Sequence, residues 1–363
     1  MWPMNDSLQD IAGRDWLVVA TEGDLGRGDR CFMPDIGQLI PGGGVFLALA
    51  ELAAQRGWVA MTLDRAEQAI GCGIAARGIH LVSDMGFGLS SQVGRRASRR
   101  TLYCLESPLQ AKWFHLRLSA LSREFDTAYL FGGLAPFSRA QQTRLAHFPV
   151  FDRNAPAGRP LLEQRKFLVA ICGLKSALAW NVRAQLGPLR ALGRDAVYLA
   201  LRLVHPILGA PDYYIIRRRV IEQLAGLKRI TIYGRGWGES AAGVGAWAGI
   251  CDYSEKLAIL GRYRFCLCFE NCGFPGYITE KIYDCFLAGT IPVYLGAPDI
   301  AKRFPAAAFV DYRQFSSPER LLAHLESLSS SHLAEMQAAG AAVLRSTEFA
   351  RTDPRHVAQE IVQ

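Results

Sequence analysis

The stretch Phe265–Pro298, FCLCFENCGFPGYITEKIYDCFLAGTIPVYLGAP, constrains the fold more than any other part of the chain. Phe265 to Phe269 is short and wholly apolar, the pattern of a strand covered on both faces. Glu270 and Asn271 interrupt it where such a strand must end, and Gly273, Pro275 and Gly276 force a loop. Thr279 stands where a helix N-cap is expected, and Glu280 suits the positive end of the helix that follows. Gly289 is a helix stop, and Ile291–Leu295 reads as a second buried strand. Strands joined through a helix run parallel. Polar residues then collect at their carboxyl ends, where open α/β sheets bind ligands.

The rest of the chain keeps the same rhythm. Strands are predicted at 16–20, 58–63, 80–83, 101–105 and 128–131, with helices at 45–56 and 111–123. Residues 151–164 are rich in Pro, Gly and polar side chains and make the best linker. A strand at 167–172 opens a second run, with a helix at 217–225, a strand at 230–233 and late helices at 321–327 and 333–344. This alternation predicts an α/β protein with doubly wound, Rossmann-like domains. A chain of 363 residues is natural for two of them. The expected division is 1–155, 156–350 and a C-terminal tail or helix at 351–363.

Composition narrows the function classes. No apolar run approaches the roughly 20 residues of a membrane span. The start, MWPMNDSLQD, lacks the basic and apolar regions of a signal peptide, so a cytoplasmic location is expected. Nine cysteines without a CxxC pair read either as a metal cluster around Cys266, Cys268, Cys272 and Cys285 or as small core residues in a reducing compartment; we take the second. The seven histidines show no metal-ligand spacing, so no metal or other cofactor is called for beyond a non-essential divalent cation. A net charge of +8 suits nucleic acid, anionic lipid or a diphosphate ligand. No nucleic-acid module is recognisable, and no aromatics interleave with the basic run Arg95-Arg96-Ala97-Ser98-Arg99-Arg100. Those arginines read either as a solvated loop or as a peripheral contact with an anionic inner membrane face. The apolar, arginine-spaced stretch 177–208 reads equally as a membrane-surface helix or an ordinary domain helix.

The order of residues in the opening stretch also resembles a known family. Phe269-Glu270-Asn271, then Tyr277-x-Thr279-Glu280-Lys281, then Ala288-Gly289-Thr290-Ile291-Pro292-Val293-Tyr294-x-Gly296-Ala297-Pro298 is similar to the signature of the α-1,3/4-fucosyltransferases of glycosyltransferase family 10, bacterial type. Phe309-Val310-Asp311 with Phe315, Ile216-Arg217, and Tyr233-Gly234-Arg235-Gly236-Trp237 extend the similarity, and the first half matches only at Glu106-Ser107-Pro108. The resemblance implies a GT-B fold, two domains facing a cleft. It also implies an inverting transferase moving L-fucose from GDP-β-L-fucose to an acceptor glycan. The acceptor expected is GlcNAc of an N-acetyllactosamine-type or lipopolysaccharide sugar, in α-1,3 linkage. One rival keeps the fold and changes the GDP-sugar; another is a non-catalytic basic protein binding membrane or nucleic acid.

Residue roles follow from that chemistry. The departing diphosphate must be neutralised, and the acceptor hydroxyl needs a base. Lys281, in the first turn of its helix, and Arg217, read as opening another, are the expected phosphate ligands. Glu280 is expected to accept hydrogen bonds from vicinal hydroxyls of the ribose, with Asn271 and Tyr277 lining the same pocket. Thr279 is read as a plain helix cap. Lys175, Gly234 and Arg235 are further donor-site candidates. Glu106, ending an apolar strand, is the expected base, its carboxyl raised by partial burial; Glu124 and Asp126 are backups. Gly42–Gly44 reads as a ligand-approaching loop or a plain helix lead-in, and Cys272 stands where the family usually has Ser or Thr.

Overall fold

A computed structural model describes residues 10–150, 160–174, 209–240 and 245–363, with residues 200, 203, 205 and 207. The chain divides into two compact units, one of residues 1–106, 113–151 and 351–363, the other of residues 107–112 and 152–350.

The first unit holds six parallel strands, β1 (Asp15–Ala20), β2 (Val59–Thr62), β3 (Gly78–Asp84), β4 (Arg99–Cys104), β5 (Thr127–Leu130) and β6 (Gln142–Leu145), in the order β2-β1-β3-β4-β5-β6. Trp16 to Ala20 are buried, as a strand covered on both faces requires. Helix Gly44–Gln55 follows the glycine loop, and Gly42 takes the left-handed conformation that loop needs, φ +78. The last helix, Pro354–Val362, packs on Gly44–Gln55, and Thr101 Oγ1 donates to Ile361 O at 3.1 Å. β6 was not expected: its QTRL side chains are largely exposed on an edge, without the apolar pattern that marks a strand.

The second unit holds β7 (Lys166–Ile171), β8 (Thr231–Tyr233), β9 (Trp247–Gly249), β10 (Tyr263–Phe269), β11 (Ile291–Leu295) and β12 (Val310–Asp311), ordered β12-β11-β10-β7-β8-β9 and parallel throughout. The chain steps outward from β7 to β9, then returns to β10 beside β7 and steps the other way. The order therefore reverses between β7 and β10, the crevice where doubly wound sheets take ligands. Leu168, Ala170, Ile232, Phe265, Leu267, Ile291 and Val293 form the core with Ile221 and Leu224 of helix Tyr213–Gly226. That helix starts four residues earlier than expected, because Asp212 caps it by accepting from Tyr214 N at 2.9 Å. Helix Glu280–Ala288 ends, as expected, at Gly289 with φ +63. Most of 177–208 lies outside the described residues, as does Lys175. Among the described residues no helix is long and apolar enough to cross a membrane.

Candidate active site

The reversal between β7 and β10 holds a small cavity. Ile171 and Cys172 line it from the end of β7, and Cys266 to Phe269 from β10. Three cations share its wall: Arg217, Lys256 and Lys281. Two were expected together; Lys256 was not.

Each cation is anchored by its element. Arg217 lies in the second turn of its helix rather than opening it, and it is only 5% exposed. Its Nη1 donates to Phe269 O at 3.1 Å, and its guanidinium lies 4.9 Å from the Tyr214 ring centroid. Lys281 reaches Glu270 Oε2 at 3.1 Å and Glu280 Oε1 at 3.7 Å, and donates to Thr279 Oγ1 at 2.9 Å. Lys256 opens the short helix Lys256–Leu260 and reaches Asp284 Oδ2 at 2.7 Å and Glu280 Oε1 at 3.5 Å.

Glu270 is the hub on the acidic side. It is fully buried, accepts from Thr279 N at 2.8 Å, and takes the Thr279 hydroxyl at 3.0 and 2.9 Å on its two oxygens. Thr279 thus occupies the cap position of helix Glu280–Ala288, but its hydroxyl binds Glu270 instead of the helix N–H groups. Burial pushes the Glu280 carboxyl up, yet Lys281 and Lys256 outweigh it and hold it at about 2. Burial likewise pulls the ammonium of Lys281 down, and Glu270 and Glu280 overturn that, so it stays charged. The wall is a lattice of opposite charges, and Lys256 and Lys281 are held in it by these ion pairs.

Asn271, Tyr277, Glu280, Gly234 and Arg235 belong to the same unit but are not among the residues that line this cavity. Asn271 Nδ2 donates to the buried Tyr277 hydroxyl at 3.4 Å. Gly234 follows β8 with φ +143, and a Cβ there would meet Cys172 O at 2.2 Å, so only glycine permits this approach. Arg235 is exposed, and its carbonyl accepts from Leu174 N at 2.9 Å. Cys272 is fully buried, and burial keeps its thiol protonated. Among the described residues no group of three or more His, Cys, Asp or Glu is arranged to hold a metal.

In the first unit Glu106 stands two residues beyond β4, at the carboxyl end of the sheet as expected. Glu106 is exposed, not partly buried, although Leu105 before it and Ser107 to Leu109 after it are buried. The backups fail on position: Glu124 and Asp126 precede β5, at the opposite end of the parallel sheet. Asp84 was missed. It ends β3 beside the strand-order reversal of this unit, accepts from Thr21 Oγ1 at 2.9 Å, and burial, reinforced by the charges of Glu106 and Glu22, pushes its carboxyl up to about 7. An acidic residue at the end of a buried strand was its one sequence signal.

Comparison with known proteins decides what the second unit is. Residues 211–337 match the model of the glycosyltransferase family 10 (fucosyltransferase) C-terminal domain. The second unit carries a family 10 glycosyltransferase domain. The matched residues contain Arg217, Lys256, Glu270, Asn271, Tyr277, Glu280 and Lys281. An alpha-(1,3)-fucosyltransferase of Helicobacter pylori is 38% identical over 77 residues, 21% of this chain and 16% of that protein. Human alpha-(1,3)-fucosyltransferase 7 is 35% identical over 119 residues, 32% of each chain. The chain therefore spans about a sixth to a third of the length of these curated relatives. Over both units, Anabaena HepE, solved in complex with UDP-glucose, superposes with a TM-score of 0.52 at 11% identity, covering 96% of this chain and 98% of that one. The family 10 domain and its companion unit have the GT-B type of fold, two six-stranded parallel α/β units.

Proposed function

We propose that this protein is an inverting fucosyltransferase that moves L-fucose from GDP-β-L-fucose to a hydroxyl of an acceptor glycan. The observation that carries the proposal is the convergence of Arg217 and Lys281, the two residues expected as phosphate ligands, on one cavity at the strand-order reversal of a family 10 domain. In the reaction, the acceptor oxygen forms a bond to the fucose anomeric carbon as that carbon's bond to the diphosphate breaks. The β-linked donor gives an α-linked product. Arg217 and Lys281 take the charge that develops on departing GDP, while Glu280 accepts from the ribose hydroxyls, with Asn271 and Tyr277 following β10 on the way to that helix. Gly234 and Arg235, at the end of β8, and Lys175 extend the donor site. Glu106 takes the proton of the attacking hydroxyl. The acceptor we favour is a GlcNAc of an N-acetyllactosamine-type or lipopolysaccharide sugar, joined in α-1,3 linkage.

A second donor is favoured by one observation: the charged residues gathered here are suited to phosphates and ribose, which every GDP-sugar shares. GDP-mannose is the competing substrate. We further propose a cytoplasmic enzyme with peripheral contact to the inner membrane face, supported by the exposed side chains of Arg95 and Arg96 and the partly exposed Arg99 and Arg100 at the start of β4. The test of function is purified protein with GDP-fucose or GDP-mannose and a panel of N-acetyllactosamine-type acceptors, read by mass spectrometry of the products. A fucosylated product supports the proposal. Transfer from GDP-mannose alone moves it to the second donor, and neither transfer nor GDP release overturns both.

A further inference from the structure

We propose that Lys256 is a positioning residue of the donor site, holding the Glu280 carboxylate in the orientation that reads the ribose; this rests on the proposed GDP-sugar function. Glu280 and Asp284 are one helical turn apart on the helix Glu280–Ala288, so their side chains leave the same face. The helix Lys256–Leu260 packs against that helix, and its first residue sends Nζ to both carboxylates, 2.7 Å from Asp284 Oδ2 and 3.5 Å from Glu280 Oε1. Asp284 is fully buried and Lys256 nearly so, at 12% side-chain exposure. Such a pair is not a solvated surface contact.

The atoms involved give the arrangement its meaning. Lys256 and Lys281 both approach the same oxygen of Glu280, Oε1, from 3.5 and 3.7 Å. Two ammoniums beside one oxygen hold that oxygen in place. Asp284 in turn anchors Lys256, so the clamp is tied to the buried side of the helix. Lys256 also shares the charge of Glu280 with Lys281. Without Lys256, Glu280 closes on Lys281 alone, and the carboxylate rotates away from the ribose while the lysine loses freedom to meet a phosphate. Lys256 itself lines the cavity beside Arg217 and Lys281, so its loss is felt at the site and not in a remote core.

The test compares GDP with 2′-deoxy-GDP by calorimetry, because the ratio of the two affinities reports the hydroxyl contact and is indifferent to general loss of stability. Lys256→Met alone strands the buried Asp284 charge and risks unfolding, so the decisive variant is the double one, Lys256→Met with Asp284→Asn, whose melting curve is recorded alongside. A charge-assisted hydrogen bond to one ribose hydroxyl corresponds to about tenfold or more in affinity. The intact chain is expected to prefer GDP by about that factor, and the double variant to bind both nucleotides within about twofold of each other. A folded double variant that keeps the original preference overturns the role of Lys256 and leaves the donor site standing. Binding of GDP by the intact chain without any preference also overturns it, again with the donor site intact. Failure of the intact chain to bind GDP at all removes the donor site and this inference together.

Discussion

Glu270→Gln is the substitution whose outcome follows most directly from the distances. The amide keeps the shape of the carboxylate and can still accept from Thr279 N, now 2.8 Å away. It loses the charge that holds Lys281 Nζ at 3.1 Å. Removing one partner of a buried ion pair costs about 3–5 kcal/mol, because the other charge is left uncompensated. Lys281 keeps 24% side-chain exposure and a second carboxylate, Glu280, at 3.7 Å, so the cost falls at or below the lower end, about 2–3 kcal/mol. With two units in one chain, a single unfolding curve does not isolate the effect. Hydrogen exchange read by mass spectrometry does, on peptides covering β10 and the helix Glu280–Ala288. Exchange governed by opening of this region should speed up roughly 30- to 150-fold. Adding Lys281→Met should recover part of the loss, since the stranded charge is gone, with a coupling of about 1–3 kcal/mol. Exchange unchanged within about threefold in the single variant, or a double variant equal to the sum of the singles, refutes the ion pair as the organiser of this wall.

Two further outcomes follow from local geometry. The Asp84 carboxyl is raised from 3.8 to about 7, so its neutral form is the one the fold favours. First-unit stability therefore falls as pH rises from about 4 through 7, by at most about 4 kcal/mol, and Asp84→Asn should flatten that slope in hydrogen exchange of first-unit peptides, corrected for the intrinsic pH dependence of exchange; an unaltered slope contradicts the burial of this carboxyl. Gly234→Ala places a Cβ 2.2 Å from Cys172 O at φ +143, and the resulting strain of about 1–3 kcal/mol should speed hydrogen exchange in peptides covering β7 and β8 by roughly 5- to 150-fold. Unchanged exchange there would show that the β7–β8 approach tolerates a Cβ.

What the sequence made legible tracks how local each signal is. β10 and β11 were readable because their side chains are apolar on both faces, and Gly289 because a helix stop with φ +63 admits few residues. Edge strands β6 and β9 were not, since an exposed edge of Gln, Thr and Arg, or three residues of Trp, Ala and Gly, carries no periodicity to detect. The start of the Tyr213 helix was hidden by the apolar Tyr213-Tyr214-Ile215 run, and this placed Arg217 one turn too early in its helix. Glu270 was visible as a charge at a strand end, but the return of the Thr279 hydroxyl to it is a tertiary contact. Lys256 lies 24 positions before Glu280, and only the packing of two helices joins them. The environment of the expected base was the hardest to read, because whether one carboxylate just past a strand end is buried depends on tertiary packing; Glu106 is exposed between buried neighbours.

The most direct measurement is a calorimetric titration of the intact chain with GDP and with guanosine, repeated on Arg217→Ala and Lys281→Ala. If the β7–β10 cavity takes the diphosphate, GDP binds the intact chain and each substitution weakens it about 10- to 100-fold, the worth of a charge-assisted contact, while the much weaker binding of guanosine is unmoved. GDP affinity that is absent, or that survives both substitutions within about twofold, contradicts a diphosphate site at Arg217 and Lys281.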